Sequence, residues 1–173
     1  MNIALFYGST TCYTEIAAEK IQAQFDPQQI TLFNIKDTPL TEIANHDILI
    51  LGISTWDYGE IQEDWEGHWP EIADIDLDGK IVALYGMGDQ IGYTEWFQDA
   101  LGLLHEQVIA QGGYVIGYWP NEDYEFEASK ALTEDKKHFV GLSLDEDNQY
   151  DLTEQRISTW CQQLKNEIAE IFK

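Results

Sequence analysis

The chain has 173 residues, 44% of them apolar, which suits one domain with a single buried core and is too apolar for a disordered polypeptide. Nine Lys and Arg stand against 32 Asp and Glu, a formal net charge of −23 that argues against nucleic acid or anionic membranes as partners, since both are bound by cations that neutralise phosphates. No apolar run approaches the roughly 20 residues of a membrane helix, and Cys12 and Cys161 make neither a disulfide framework nor a CxxC pair.

The opening segment Met1–Tyr7 carries no basic stretch and runs straight into a strand pattern, so no secretory leader is expected and the expected compartment is the reducing cytoplasm. The acidic surface either steers the molecule toward a basic protein partner or serves solubility alone.

In chain order, short apolar runs alternate with amphipathic stretches. Ile3–Tyr7 reads as a buried strand, Gly8–Thr11 as a turn, and a helix is expected from about Thr14, with Ala17, Ile21 and Phe25 four apart on one face. Ile30–Phe33 is a second strand. Ile48–Leu51 is a third, apolar throughout as a strand covered on both faces should be. A short helix is predicted over Glu63–Glu71, a fourth strand over Ile81–Tyr85 and a helix over Glu95–Gln111. Tyr114–Tyr118 begins a fifth strand. The last helix starts at about Thr153 and carries Ile157, Trp160, Cys161, Leu164, Ile168 and Ile171 along one stripe.

This alternation predicts an α/β fold, a doubly wound five-stranded parallel sheet with helices on both faces, in one domain over residues 1–173. The segment from Trp119 to His138 lacks a period and is rich in charge and aromatics. A further strand-like run, Phe139–Leu144, follows it, so the segment reads as an insertion splitting the fifth strand near 119–138.

Ligands of open parallel sheets bind beyond the carboxyl ends of the strands, which directs attention to three loops. The first is Gly8-Ser9-Thr10-Thr11-Cys12-Tyr13-Thr14-Glu15. Its Ser and Thr hydroxyls stand at the start of a helix, a seat for phosphate made of neutral donors and equally an ordinary helix cap. Neither GxxxxGK[ST] nor GxGxxG is present. The second and third loops are Ser54-Thr55-Trp56-Asp57-Tyr58-Gly59 and Gly86-Met87-Gly88-Asp89-Gln90-Ile91-Gly92-Tyr93. Each places an aromatic where solvent is expected. Any one aromatic is more often a filler, but Trp56 and Tyr93 beside a phosphate seat are suited to sandwich a flat ring.

These loops together resemble those of flavodoxins. Gly8–Glu15 is similar to the family's FMN phosphate loop; Thr55–Glu60 and Gly86–Tyr93 are similar to its two ring-binding loops. The similarity continues through Phe139-Val140-Gly141-Leu142 and Leu144–Gln149, and the split fifth strand resembles the long-chain class. The family usually has Gly at position 12; Cys12 and Tyr13 stand here instead, a variant similar to the second flavodoxin type of enteric bacteria. Cys12 reads either as a plain structural thiol or as a thiol activated by the helix terminus.

The resemblance implies a flavodoxin-like fold and a low-potential electron carrier, not an enzyme, with one non-covalent FMN cycling between quinone, neutral semiquinone and hydroquinone. It implies phosphate contacts from Ser9, Thr10, Thr11, Cys12, Tyr13 and Thr14, and ring contacts from Thr55, Trp56, Asp57, Tyr58, Gly59, Gly88, Asp89 and Tyr93. Gln98 and Asp147 are carried over toward the ribityl chain, Asp147 reading equally well as part of a solvated face. It further implies that the Asp57–Tyr58 peptide turns its carbonyl toward protonated flavin N5. The implied partners are basic redox proteins such as a ferredoxin/flavodoxin-NADP reductase, and acceptor enzymes, met transiently by a monomer.

An FMN-dependent NAD(P)H:quinone oxidoreductase is the alternative, though nine scattered Lys and Arg offer little for a nicotinamide nucleotide. A phosphorylatable receiver domain is rejected, because Gly8-Ser9 and Ile53-Ser54 stand where it needs acidic residues. His46, His68, His105 and His138 show no metal-ligand spacing, and no metal is expected.

Overall fold

The computed structural model describes every residue from Met1 to Lys173. In chain order the elements are β1 (Ile3–Tyr7), α1 (Tyr13–Gln22), β2 (Ile30–Asn34), a 3-10 turn over Leu40–Asn45, β3 (Ile48–Trp56), β4 (Glu60–Ile61), α2 (Glu63–Ile72), β5 (Ile81–Met87), α3 (Asp99–Ala110), β6 (Tyr114–Ile116), β7 (Trp119–Pro120), β8 (His138–Phe139), β9 (Leu142–Leu144), α4 (Glu146–Gln149), a 3-10 turn over Tyr150–Leu152, and α5 (Thr153–Ile171). No helix is long and apolar enough to cross a membrane.

The main sheet runs β2-β1-β3-β5-β6, all parallel, with Leu5 of β1 opposite Leu32 of β2 and Ile50 of β3. Strand alternation divides the core. Ile3, Leu5 and Tyr7 face α1 and α5, where Ala18, Ile21, Trp160 and Leu164 are buried. Ala4 and Phe6 belong to the opposite layer, with Trp65 and Ile72 of α2 and Leu101 and Leu104 of α3.

The expected split of the fifth strand is present. β6 pairs with Ile81–Ala83 and β9 with Tyr85–Met87, so both run parallel along one edge of β5. Between them β7 and β8 form an antiparallel pair, with Trp119 opposite Phe139. Phe97, Tyr124, Phe126 and Phe139 gather into one cluster with centroids 5.0–5.8 Å apart, which explains the segment's aromatic content. Arg156 of α5 lies over the Tyr124 ring at 4.2 Å.

Two elements differ from expectation. β3 runs on to Trp56, and β4 folds back antiparallel upon it, Thr55 opposite Ile61 and Trp56 opposite Glu60, so the second loop is a tight turn. The helix expected from Glu95 begins only at Asp99. Gln98 before it sits at φ 62, in the left-handed region, and its fully buried amide donates to Gly86 O and Leu144 O at 3.1 Å each. Those bonds to two strand ends hold Gln98 out of helical geometry, and apolar spacing carries no trace of them.

Gly52 and Tyr85 are opposite one another in β3 and β5. Tyr85, buried at the centre of the sheet, donates its hydroxyl to Thr14 O at 2.9 Å and so ties β5 to the first turn of α1. Its phenol crosses above Gly52, where an added Cβ would meet the ring at 2.1 Å and the hydroxyl at 2.4 Å. Burial without an ionised partner pushes the Tyr85 hydroxyl well above its usual range, so it stays a donor at any working pH. Gly52→Ala is expected to cost about 1–3 kcal/mol of stability through overpacking, read as a lower urea midpoint with an unchanged m-value.

Candidate functional site

A cleft of about 280 Å³ opens at the carboxyl ends of β1, β3 and β5. The loop after β1 contributes Thr11 and Tyr13; the end of β3 contributes Ser54, Thr55, Trp56 and Asp57; β5 and its loop contribute Met87, Gly88, Asp89 and Tyr93; α4 contributes Glu146 and Asp147. Nine residues chosen from sequence therefore meet here: Thr11, Tyr13, Thr55, Trp56, Asp57, Gly88, Asp89, Tyr93 and Asp147.

The first wall is made of uncharged donors. Cys12 precedes α1 at φ 69, turning the chain sharply, and no side chain caps this helix, so its first-turn N–H groups are left for another acceptor. Ser9 Oγ is buried without a hydrogen-bond partner. Thr10 and Cys12 are exposed at the rim, and Thr14 is buried with its hydroxyl bonded to that of Ser54. Buried Gln62 shapes this loop: its Nε2 donates to Thr10 Oγ1 at 3.1 Å, while its Oε1 accepts the N–H groups of Asp64 and Trp65 and caps α2. Tyr7 donates to Glu15 at 3.0 Å and holds that carboxylate beside its own ring; burial, reinforced by Glu15, pushes the Tyr7 hydroxyl up to about 12.

The second wall is the β3–β4 turn. Asp57 at φ 43 and Gly59 at φ 89 are both left-handed, as so short a reversal requires. Trp56 Nε1 is buried without a partner. Tyr58 is 69% exposed and stands edge-on to Tyr93 and Trp96, with centroids 6.2 and 5.1 Å away. It and Gly59 brace the turn from outside the cleft.

The third wall is held by one buried carboxylate. Asp145 follows β9 directly and is fully buried; it accepts Gln90 N at 3.0 Å, Gln90 Nε2 at 2.8 Å, Asn148 N at 3.0 Å and Asn148 Nδ2 at 2.9 Å. Gln90 Oε1 in turn accepts Glu125 N at 2.6 Å, so the insertion supports the same loop. Asp89 Oδ1 accepts Gly92 N and Asn148 Nδ2, both at 2.7 Å, which points its loop over the cleft.

Gln98 is not among the residues lining the cleft; its Nε2 is spent on Gly86 O and Leu144 O, at the β5 and β9 ends, and its Oε1 is buried without a partner. Conversely, Ser54, Met87 and Glu146 line the cleft without having been singled out, and Gln62, Gln90 and Asp145 shape it from behind. Position at the end of a strand was the available signal for Met87 and Asp145; the two glutamines gave none.

The electrostatics are one-sided. Asp57, Asp89, Glu146 and Asp147 border the cleft, and no Lys or Arg lines it. Burial, then Asp89, Asp145 and Glu146 in turn, raises the Asp147 carboxyl. Tyr93 donates to Asp57 Oδ1 at 3.2 Å, and this bond raises the tyrosine. A ligand with a dianionic end finds only helix N–H groups and hydroxyls at the first wall, and a flat apolar body finds Trp56 and Tyr93 at the second and third. The unmet hydroxyl of Ser9 and indole N–H of Trp56 agree with such a ligand.

The family model described as Flavodoxin matches residues 5–160. "Flavodoxin 2" of Salmonella typhi is 58% identical over 170 residues, covering 98% of each chain. A flavodoxin of Nostoc is 48% identical over 167 residues, 96% of this chain and 97% of its own. The crystal structure of Fusobacterium nucleatum flavodoxin bound to flavin mononucleotide superposes with a TM-score of 0.90 at 32% identity, covering 96% of this chain and 98% of that one.

Asp99, 2% exposed, has its carboxyl raised by burial, with the Lys130 N–H bond opposing. A carboxyl that holds its proton more tightly folded than unfolded weakens the fold as pH rises through its unfolded and then its folded value. Asp99→Asn, which keeps an acceptor for Lys130 N–H, is therefore expected to stabilise the protein at about pH 7 and to lose that gain toward about pH 3. Urea midpoints of both proteins at the two pH values check this.

Proposed function

The chain belongs to the flavodoxin family, and from that premise we propose how its cleft holds FMN and which partners it meets. The protein is an FMN-dependent electron carrier and not an enzyme; the cofactor, when bound, supplies the one-electron chemistry. The observation carrying the residue-level reading is the cleft itself: neutral donors at the uncapped start of α1, facing Trp56 and Tyr93, with carboxylates around the rim.

The N–H groups of the first turn of α1, with the hydroxyls of Ser9, Thr10, Thr11 and Thr14, receive the phosphate. Cys12 supplies the left-handed bend that aims them, and Tyr13 walls the seat. Trp56 and Tyr93 would flank the ring and exclude water from it, with Thr55, Gly88 and Asp89 lining the same cleft beside them. Asp57, Asp89, Glu146 and Asp147 oppose added negative charge at the ring and so depress the potential of the second electron. For one electron about 59 mV equals about 1.4 kcal/mol. A depression of a few hundred millivolts thus needs several kcal/mol, beyond one aromatic contact of ~0.5–1.5 kcal/mol, so burial and summed charge carry most of it. With FMN bound, the carbonyl of the Asp57–Tyr58 peptide would accept a hydrogen bond from the N–H that the ring gains with the first electron.

The partners are redox proteins. Those with a basic face fit best: a pyridine-nucleotide reductase as donor and acceptor enzymes, meeting this monomer transiently in a reducing cytoplasm, with encounter rates that fall as salt rises. The quinone reductase reading finds no support, since no cation lines the cleft to receive a nicotinamide nucleotide.

The purified protein is expected to be yellow, or to become so with FMN, and to retain an intermediate long-wavelength band during stepwise reduction. Apoprotein that stays colourless with FMN and gives no calorimetric heat would overturn the reading. Tyr58→Pro, which fixes the φ of a residue beside the turning peptide, is expected to lower the one-electron-reduced fraction several-fold at the titration midpoint, with FMN affinity less affected.

A further inference from the structure

The Asp57–Gly59 turn rests against a residue from another element. Asp99 opens α3, where an acidic side chain already suits the helix dipole from an exposed position, yet this one is 2% exposed. No ion pair neutralises it. Its Oδ1 accepts the N–H of Lys130, in the insertion, at 2.8 Å. Its Oδ2 lies beneath Gly59: a Cβ built on that glycine would stand 3.0 Å from this oxygen and 3.2 Å from Trp96 Cδ1. The next residue of α3, Ala100, donates its N–H to Thr55 Oγ1 at 3.0 Å. The first turn of α3 thus holds the β3 side of the ribbon through Thr55 and supports its reversal through Gly59.

An acceptor for Lys130 N–H is all that the insertion requires, and a neutral amide would provide it. The second oxygen does something further. No N–H of the turn donates to this oxygen, so a negative charge here acts on the turn through space, favouring peptide planes that turn an N–H toward it over those that turn a carbonyl toward it. The planes concerned are those of the Asp57–Gly59 turn. Both glycine at 59 and tyrosine at 58 leave these planes an N–H to offer.

We propose that Asp99 is a positioning residue for the Asp57–Gly59 turn: its buried carboxylate sets which way the peptide planes of that turn face, and its bond to Lys130 makes the insertion part of the same support. This deepens, and rests on, the flavodoxin reading of the cleft. The insertion then contributes to redox tuning without touching the cofactor, and a charge is kept in the interior because the turn needs it.

The test compares wild type with Asp99→Asn, which keeps the Lys130 bond and loses the charge, and with Asp99→Ala, which loses both. In the apoprotein, amide exchange is followed by NMR at Gly59 and Lys130. In the FMN-loaded protein, the formation constant of the one-electron-reduced form is taken from a stepwise titration. Asp99→Asn is expected to speed exchange at Gly59 roughly ten-fold, to leave Lys130 protected, and to lower the formation constant at least about five-fold. Asp99→Ala adds loss of protection at Lys130. Either Gly59 exchange or the formation constant staying within about two-fold of wild type in Asp99→Asn overturns the proposal. Should wild type take up no FMN, the flavodoxin reading falls, and Gly59 exchange in the apoprotein alone decides the role of Asp99.

Discussion

β5 offers a seven-residue edge that no single strand fills: Tyr114–Ile116 takes its lower part and Leu142–Leu144 its upper part. The third wall of the cleft hangs on this shared edge. Because β9 ends beside Met87, the residue after it, Asp145, arrives between the Gln90 loop and α4, where its carboxylate gathers four donor groups from two residues. Gln98 ties the same two strand ends. A buried carboxylate is costly unless its lone pairs are met. Here Gln90 and Asn148 meet them with uncharged donors, and the acidic rim keeps its negative field undiluted.

That field explains why the first wall uses no cation. A lysine beside the phosphate would add affinity but would also stabilise negative charge a short distance away at the ring. Helix N–H groups and hydroxyls act at hydrogen-bond range and contribute little farther off. With the cofactor seated as proposed, affinity for its anionic end would thereby be separated from the potential at its other end.

Much of this was legible in the sequence because it is local. The all-apolar run Ile48–Leu51 announces a strand covered on both faces, and the stripe from Ile157 to Ile168 announces a helix lying on the sheet. The loops after β1, β3 and β5 carry their chemistry in consecutive residues. What stayed hidden acts across distance. Gln98 and Asp99 both fall inside the helix expected from Glu95, though Gln98 in fact precedes it and Asp99 opens it, and Gln62 stands just before the short helix expected from Glu63. Each owes its role to a partner at least 10 residues away, such as Thr10, Gly86 or Lys130. Periodicity reports which face a side chain takes, not which backbone group it will find there.

The aromatic cluster of the insertion also bears on how loop length can change in such a fold. Phe97 belongs to the approach to α3, not to the insertion, yet it packs on Tyr124, Phe126 and Phe139. Excising the segment between β6 and β9 would leave that ring facing water and remove the acceptor-seeking N–H groups of Glu125 and Lys130 from Gln90 and Asp99. A trimmed descendant of this chain would need a smaller or polar residue at 97 and new partners at 90 and 99. Acquiring or discarding the segment in evolution is thus a coordinated change at scattered sites rather than a clean cut.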